Sequence, residues 1–117
     1  MKIDVLDTLK KARQVIVERG DVARNSAYRD GNFTPARVCS IGAMRVANGG
    51  YEYGLTVMFP DDKQTMYSDI EPAVDALSDA IGGQAVDDWN DMTESVDEVL
   101  EAFDRAIAEA EKLKVQA

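Results

Sequence analysis

Cys39 is the strongest nucleophile by residue type and the only cysteine in the chain. A thiolate is stabilised near a helix N-terminus or a basic side chain, and Arg37 is close by in the sequence. No histidine exists to take the thiol proton, however, and Cys39 stands in a stripe of small residues with Gly42 and Ala43. This pattern favours a buried structural thiol, with a reactive thiol as the alternative.

A second candidate is the acidic run from Asp87 to Asp91, which contains Asp88, Trp89 and Asn90. Carboxylate and amide oxygens are ligands for Mg²⁺ or Ca²⁺, but the run lacks the glycine and the distal glutamate of a calcium loop. We expect no metal and no cofactor. Instead, the pattern predicts that Trp89 anchors in the core while Asn90 and Asp91 hydrogen-bond the following turn.

The segment 19–37 is rich in arginine and contains two aromatic residues. Arg24, Tyr28, Arg29 and Phe33 are a combination that can stack on bases and contact phosphates. Arginines also pair with carboxylates inside a protein, and seventeen carboxylates follow residue 50. The segment is therefore a candidate binding loop, with intramolecular pairing as the other interpretation.

The last predicted helix has a strongly acidic outer face that includes Glu94, Glu98 and Glu101. Such a face is commonly only solvated, but it could also bind a basic partner. Glu101 and Arg105 have the spacing of a favourable i,i+4 ion pair.

Composition restricts the possible functions. The chain has 117 residues, no histidine and a formal net charge of −9. These counts exclude histidine-based catalysis, an intramolecular disulfide and a cysteine-based zinc site. Residues 1–50 carry nine basic and five acidic side chains, whereas residues 51–117 carry four and seventeen. This split predicts two attracting faces of one fold, or an acidic face for a basic partner, and it disfavours general nucleic-acid binding.

The N-terminal residues do not predict a signal peptide. Asp4 and Asp7 place charge where a signal peptide has an apolar run, and the longest aliphatic stretch, Val15 to Val17, is too short to span a bilayer. We expect a cytoplasmic protein without membrane contact.

Apolar periodicity predicts a single domain over residues 1–117. A first helix runs from Asp4 to Arg19, and an irregular loop covers 21–34. Thr34 and Pro35 have the types that cap and begin a second helix, which ends near Ala47.

The second half of the chain is predicted to begin with a hairpin over residues 51–67. Alternating apolar residues predict one strand over 51–59, and the chain would return over 63–67. A third helix is predicted from Ser68 to Ile81, with Pro72 in its first turn, and a long last helix over 95–114. The predicted fold class is mainly α (α+β), with four helices and a small antiparallel hairpin after the second. We expect the last helix to pack on the first, and Gly42 to mark a close helix crossing.

The order of several short motifs resembles a family of short domains of unknown function from actinobacteria and their phages, including mycobacteriophages. Cys-x-x-Gly-Ala and Trp-Asn-Asp are its most recognisable elements. The matching residues are Leu9, Ala12, Ile16, Glu18 to Gly20, Cys39 to Ala43, Ala76, Leu77, Trp89 to Asp91, Glu98 and Val99. The chain departs from the pattern at Asp21 and Val22, where an aromatic residue is expected, and in a longer hairpin.

This resemblance implies an origin and a set of shared packing positions, namely Cys39, Gly42, Ala43 and Trp89 to Asp91, but no activity. Together with the lack of a complete catalytic set, it favours a non-enzymatic binding or regulatory protein, such as a phage accessory protein in the host cytoplasm. Its partner would be a host protein or a second copy of the chain, which could form a homodimer. A carboxylate-based metal-dependent enzyme and a nucleic-acid-binding protein stay open as alternatives.

Overall fold

A computed structural model describes residues 4–25, 36–53, 56–58 and 67–116. In these ranges the chain forms five helices and one two-stranded antiparallel sheet. The elements are α1 (Val5–Arg19), α2 (Ser40–Ala47), β1 (Tyr51–Tyr53), β2 (Thr56–Met58), α3 (Tyr67–Ala80), α4 (Val86–Met92) and α5 (Val96–Gln116).

Helix α1 has the start and the end that its sequence predicts. The Asp4 carboxylate accepts a hydrogen bond from the backbone N–H of Asp7 at 3.0 Å and caps the first turn. Gly20 ends the helix with a φ of +85°, which a residue without a side chain adopts readily. The buried residues Leu9, Ala12 and Ile16 form a stripe along one face of the helix.

The predicted start of the second helix is wrong. Helix α2 begins at Ser40 with Cys39 as its N-cap, and residues 36–39 are not helical. In that stretch the carbonyl of Val38 accepts a hydrogen bond from the N–H of Ala23 at 3.0 Å. Pairing with a distant segment therefore replaces the extra helical turn that Thr34 and Pro35 suggested. Those two residues lie outside the described ranges.

The predicted fold class is also wrong, in its helix count and in its hairpin. Helix α4 is a fifth helix, formed where only a connection was expected. Residues 51–59 are not one strand, because β1 pairs antiparallel with β2 and Tyr51 lies opposite Met58. The return strand cannot reach Tyr67, which begins α3. Apolar residues alternate from Tyr51 to Phe59 without interruption, so the sequence pattern does not separate the two strands.

Helix α3 contains Pro72 in its second turn rather than its first. Proline has no N–H, so the carbonyl of Ser68 lacks its usual helical hydrogen bond at this point. The helix nevertheless continues to Ala80, because Ile70, Ala73 and Leu77 are all buried on its inner face. Packing of this face outweighs the cost of one lost hydrogen bond.

The apolar core is formed between α1, α2, α3 and α5, and α1 contacts each of the other three helices. Phe103 of α5 is its largest fully buried side chain. As predicted, α5 packs against α1, and Arg13 donates to both carboxylate oxygens of Asp104 at 2.8 and 3.3 Å. In the described ranges, no helix is both long enough and apolar enough to cross a membrane.

A methyl group at Gly50 would meet its surroundings too closely. A Cβ there would lie 2.6 Å from the carbonyl oxygen of Arg45 and 2.9 Å from a methyl carbon of Val57. We therefore expect Gly50→Ala to lower the free energy of unfolding by about 2 kcal/mol, measured by urea denaturation.

Gly49→Ala is the matched control for this prediction. A Cβ at Gly49 would meet nothing within 4 Å, although the φ of +86° is strained for alanine. That variant should lose only about 1 kcal/mol. An equal loss in the two variants would show that steric contact at Gly50 is unimportant.

Candidate functional site: a buried amide cluster and an acidic groove

The side chain of Asn90 connects three parts of the chain. It is 1% exposed, and its Oδ1 accepts hydrogen bonds from the backbone N–H of Ser40 at 2.9 Å and from the Ser40 hydroxyl at 2.7 Å. Its Nδ2 donates to the carbonyl of Ala23 at 2.8 Å and to Oδ1 of Asp91 at 3.3 Å. All four hydrogen-bonding positions of the amide are therefore used.

Further polar contacts extend this cluster to the segment after α1. The Asp91 carboxylate accepts from the N–H of Asn25 at 2.8 Å. The hydroxyl of Thr93 donates to the Asn90 carbonyl at 2.8 Å and accepts from Nε of Arg24 at 3.0 Å. Arg24 also pairs with the carboxylate of Asp21 at 2.9 Å. We call the residues Asp21, Arg24, Ser40, Asn90, Asp91 and Thr93 the amide cluster.

The side chains of Asn90 and Asp91 do not hydrogen-bond the following turn, as the sequence predicted, but bind residues 23, 25 and 40 of distant segments. That these residues serve a structural role stays a prediction. Trp89 is half-buried and packs against the core. Sequence reasoning missed Ser40 and Thr93, because a buried serine or threonine gives no periodic signal. Asp21 was noted only as a departure from the family pattern.

Cys39 lies at the start of α2 and is 8% exposed. Its sulfur accepts a hydrogen bond from the N–H of Gly42 at 3.2 Å, so the thiol acts as a helix cap. Gly42 and Ala43 are buried on the same helix, which packs against α1. This arrangement fits a structural thiol better than a nucleophile, because little of the sulfur is accessible to a substrate.

The candidate metal-binding carboxylates Asp87, Asp88 and Asp91 lie on α4. Asp87 and Asp88 are exposed, whereas Asp91 is engaged by Asn25 and Asn90. Across the described part of the chain, no group of three or more acidic or cysteine side chains is arranged to hold a metal ion. The geometry thus gives no support to a metal-dependent reaction at these positions.

The arginine-rich segment is only partly described, since Tyr28, Arg29 and Phe33 lie outside the described ranges. Two of its arginines make hydrogen bonds or ion pairs with other residues of the same chain. Arg19 donates to the carbonyl of Ala36, and Arg24 pairs with Asp21. These contacts leave those two guanidinium groups less available to a phosphate group.

The acidic face of the last helix is exposed as predicted at Glu94, Glu98 and Glu101. The predicted ion pair between Glu101 and Arg105 is wrong. Nε of Arg105 donates instead to the carbonyl of Ala80 at 3.2 Å, which ties α5 to the end of α3.

A groove of about 770 Å³ lies between α3 and α5, and the first residues of α1 contribute to its lining. We call it the α3–α5 groove. Its apolar surface includes Pro72 and Ala76 of α3, and Ala110 and Leu113 of α5. The carboxylates that line it are Asp4, Asp75, Asp79 and Glu109.

The fold and these two features define a small, mainly helical domain with an acidic surface. The chain belongs to a family of unknown function, DUF6197, whose model matches residues 1–109. The resemblance to a family of domains of unknown function is confirmed at this level. No curated protein and no solved structure matches the chain.

The amide cluster predicts that Asn90→Asp destabilises the domain although the two side chains have the same shape. One carboxylate oxygen of the aspartate would face the carbonyl of Ala23, to which the amide now donates. We expect a loss of about 3 kcal/mol at neutral pH, measured by urea denaturation.

Asp88→Asn makes the same exchange in reverse at an exposed site two residues away and is the control. It should change the free energy of unfolding by less than about 0.5 kcal/mol. An Asn90→Asp variant as stable as the parent would mean that the amide cluster is not needed for stability.

Ionised Asp21 should stabilise the folded chain. Burial raises the pKa of this carboxyl. The hydrogen bonds from Arg24 and from the N–H of Val22, and the charges of Arg24 and Arg37, outweigh burial and bring the pKa below its ordinary value. The unfolded chain therefore takes up this proton at a higher pH than the folded chain does. The stabilisation is complete well above a pH of about 4 and disappears as the pH falls through the folded-state pKa.

We therefore expect Asp21→Asn to be about 1 kcal/mol less stable than the parent at pH 7. This difference should shrink as the pH falls below about 4, which urea denaturation over a pH series will measure. A difference that is constant down to a pH of about 2.5 would contradict the role of the charge.

Proposed function

We propose that this chain is a non-enzymatic binding protein that acts by contact between its acidic surface and a basic protein partner. The observation that supports this proposal is a set of nine exposed carboxylates on α3, α4, α5 and the residues before α5. None of the nine has an ion-pair partner among the residues that the structure describes. They are Glu71, Asp75, Asp79, Asp87, Asp88, Glu94, Asp97, Glu98 and Glu101.

A surplus of carboxylates without ion-pair partners destabilises the folded chain but favours association with a basic surface. Like charges repel one another and destabilise the compact state, so balancing the acids with lysines would stabilise the fold. The same charges attract a basic surface from a distance and accelerate association with it. The basic side chains of α1 do not neutralise this surface, because Lys10 and Arg13 pair with other carboxylates, Glu111 and Asp104.

The proposed partner is a host protein in a bacterial cytoplasm, and the proposed role is regulatory. The resemblance to domains from actinobacteria and their phages supports this choice, as does the lack of a histidine or a second cysteine for catalysis. The acidic sign of the surface supports a basic protein rather than a nucleic acid, since a polyanion would be repelled.

Affinity capture from an actinobacterial lysate tests the proposal. The parent chain should retain basic proteins at low salt and release them at about 0.5 M salt, where exposed charges are screened. The combined variant Glu94→Gln, Glu98→Gln and Glu101→Gln should retain about two- to fivefold less of the same proteins, because three exposed charges are lost.

Glu18→Gln removes an exposed carboxylate from α1, outside the acidic surface, and should leave the capture unchanged. All variants should melt like the parent, since each change is at an exposed position. If the parent retains nothing above background, or if the triple variant retains as much as the parent, the proposal is wrong.

A further inference from the structure

We propose that the α3–α5 groove is the docking site for a basic amphipathic helix of the partner protein. This inference rests on the proposed function and specifies where on the acidic surface the contact is made. It is supported by the shape of the groove, by its apolar lining and by the charges that line it.

The shape of the groove follows from small side chains at matching positions of two packed helices. On α3, the lining residues Pro72, Asp75, Ala76 and Asp79 have the spacing i, i+3, i+4 and i+7. On α5, the residues Ala106, Glu109, Ala110 and Leu113 have the same spacing. Each set is therefore one face of a helix, and the two faces together form a channel.

The lining of this channel is apolar and open to an occupant. Alanines at 76, 106 and 110 leave space that larger side chains would fill. Leu113, a large apolar residue, is 61% exposed at the end of the groove. Seven residues of helix span about 10 Å, so the groove can receive about two turns of a third helix. Helix-in-groove recognition uses apolar residues of the ligand at this same spacing.

The carboxylates that line the groove determine the sign of the charge that its occupant should carry. Of the four carboxylates in the lining, Asp4 pairs with Lys114 at 3.1 Å and Glu109 pairs with Lys112 at 3.8 Å. Asp75 and Asp79 are one helical turn apart, are exposed and have no ion-pair partner in the described part of the chain. An amphipathic helix could pack its apolar residues on the lining and place flanking lysines or arginines beside these two carboxylates.

Two other occupants fit this groove less well. In a symmetric pair of chains, the acidic lining of one groove would face the acidic lining of the other, which is unfavourable. A small apolar molecule would fill the lining but would make no use of Asp75 and Asp79.

The test uses a fluorescein-labelled peptide of about fifteen residues, with leucines at helical spacing i, i+3, i+4 and i+7 and lysines at the flanking positions. Fluorescence anisotropy should show saturable binding to the full chain. Two control peptides, one with leucines replaced by serine and one with lysines replaced by glutamate, should each bind at least about tenfold more weakly.

Two pairs of matched variants locate the binding site. Ala110→Phe fills the groove and should weaken binding about tenfold, whereas Ala108→Phe lies on an exposed part of α5 outside the groove and should not. The double variant Asp75→Lys with Asp79→Lys should weaken binding about tenfold. Asp97→Lys with Glu101→Lys makes the same change in net charge away from the groove and should weaken binding no more than about threefold.

The outcomes separate this inference from the proposed function. If both charge variants weaken binding equally and Ala110→Phe has no effect, the acidic surface binds cations but the groove is not the site. If the parent binds none of the peptides, the groove inference is wrong, whereas the proposed function is decided by the capture of basic proteins from the lysate. Sedimentation that shows a dimer, dissociated by Ala110→Phe, would assign the groove to a second copy of the chain and overturn the basic-helix occupant. Weak binding of all three peptides with unchanged affinity in every variant would also overturn it.

Discussion

The buried amide of Asn90 is the constraint on which the arrangement of the smaller elements depends. It holds Ser40 at the start of α2 and the carbonyl of Ala23 after α1, and it does so from the middle of α4. In a protein interior with little water, a buried amide without hydrogen-bond partners strongly destabilises the folded state. The hydrogen bonds of Asn90 therefore fix how these three segments lie relative to one another, and they hold the short helix α4 in place.

The larger helices depend on a different interaction, the burial of apolar faces. Leu9, Leu77 and Phe103 are fully buried where α1, α3 and α5 meet. No residue of α2 or α4 lines the α3–α5 groove. Asp75, Asp79 and Leu113 of the groove are exposed, so substitutions at these positions leave the amide cluster and the core untouched.

The sequence predicted the long helices well, because each has a continuous apolar stripe and identifiable ends. It did not predict α4, whose seven residues place only Val86 and Asn90 among the buried positions. An apolar pattern cannot be recognised in so few residues. It also failed at the start of α2, where pairing of Val38 with Ala23 decides the conformation. For the candidate site, the exposed glutamates could be recognised from charge alone. The groove could not be recognised from the sequence, because it is formed by small side chains of two helices that come together only when the chain folds.

The pairing of the first helix with the last has a consequence for how the protein is made. Arg13 and its partner Asp104 are 91 residues apart, and α5 completes the cover of α1, which also packs on α2 and α3. On the ribosome, α1, α2 and α3 therefore emerge before the last helix that packs on α1. We expect the nascent chain to stay incompletely packed, and exposed to chaperones, until the segment of α5 has left the exit tunnel.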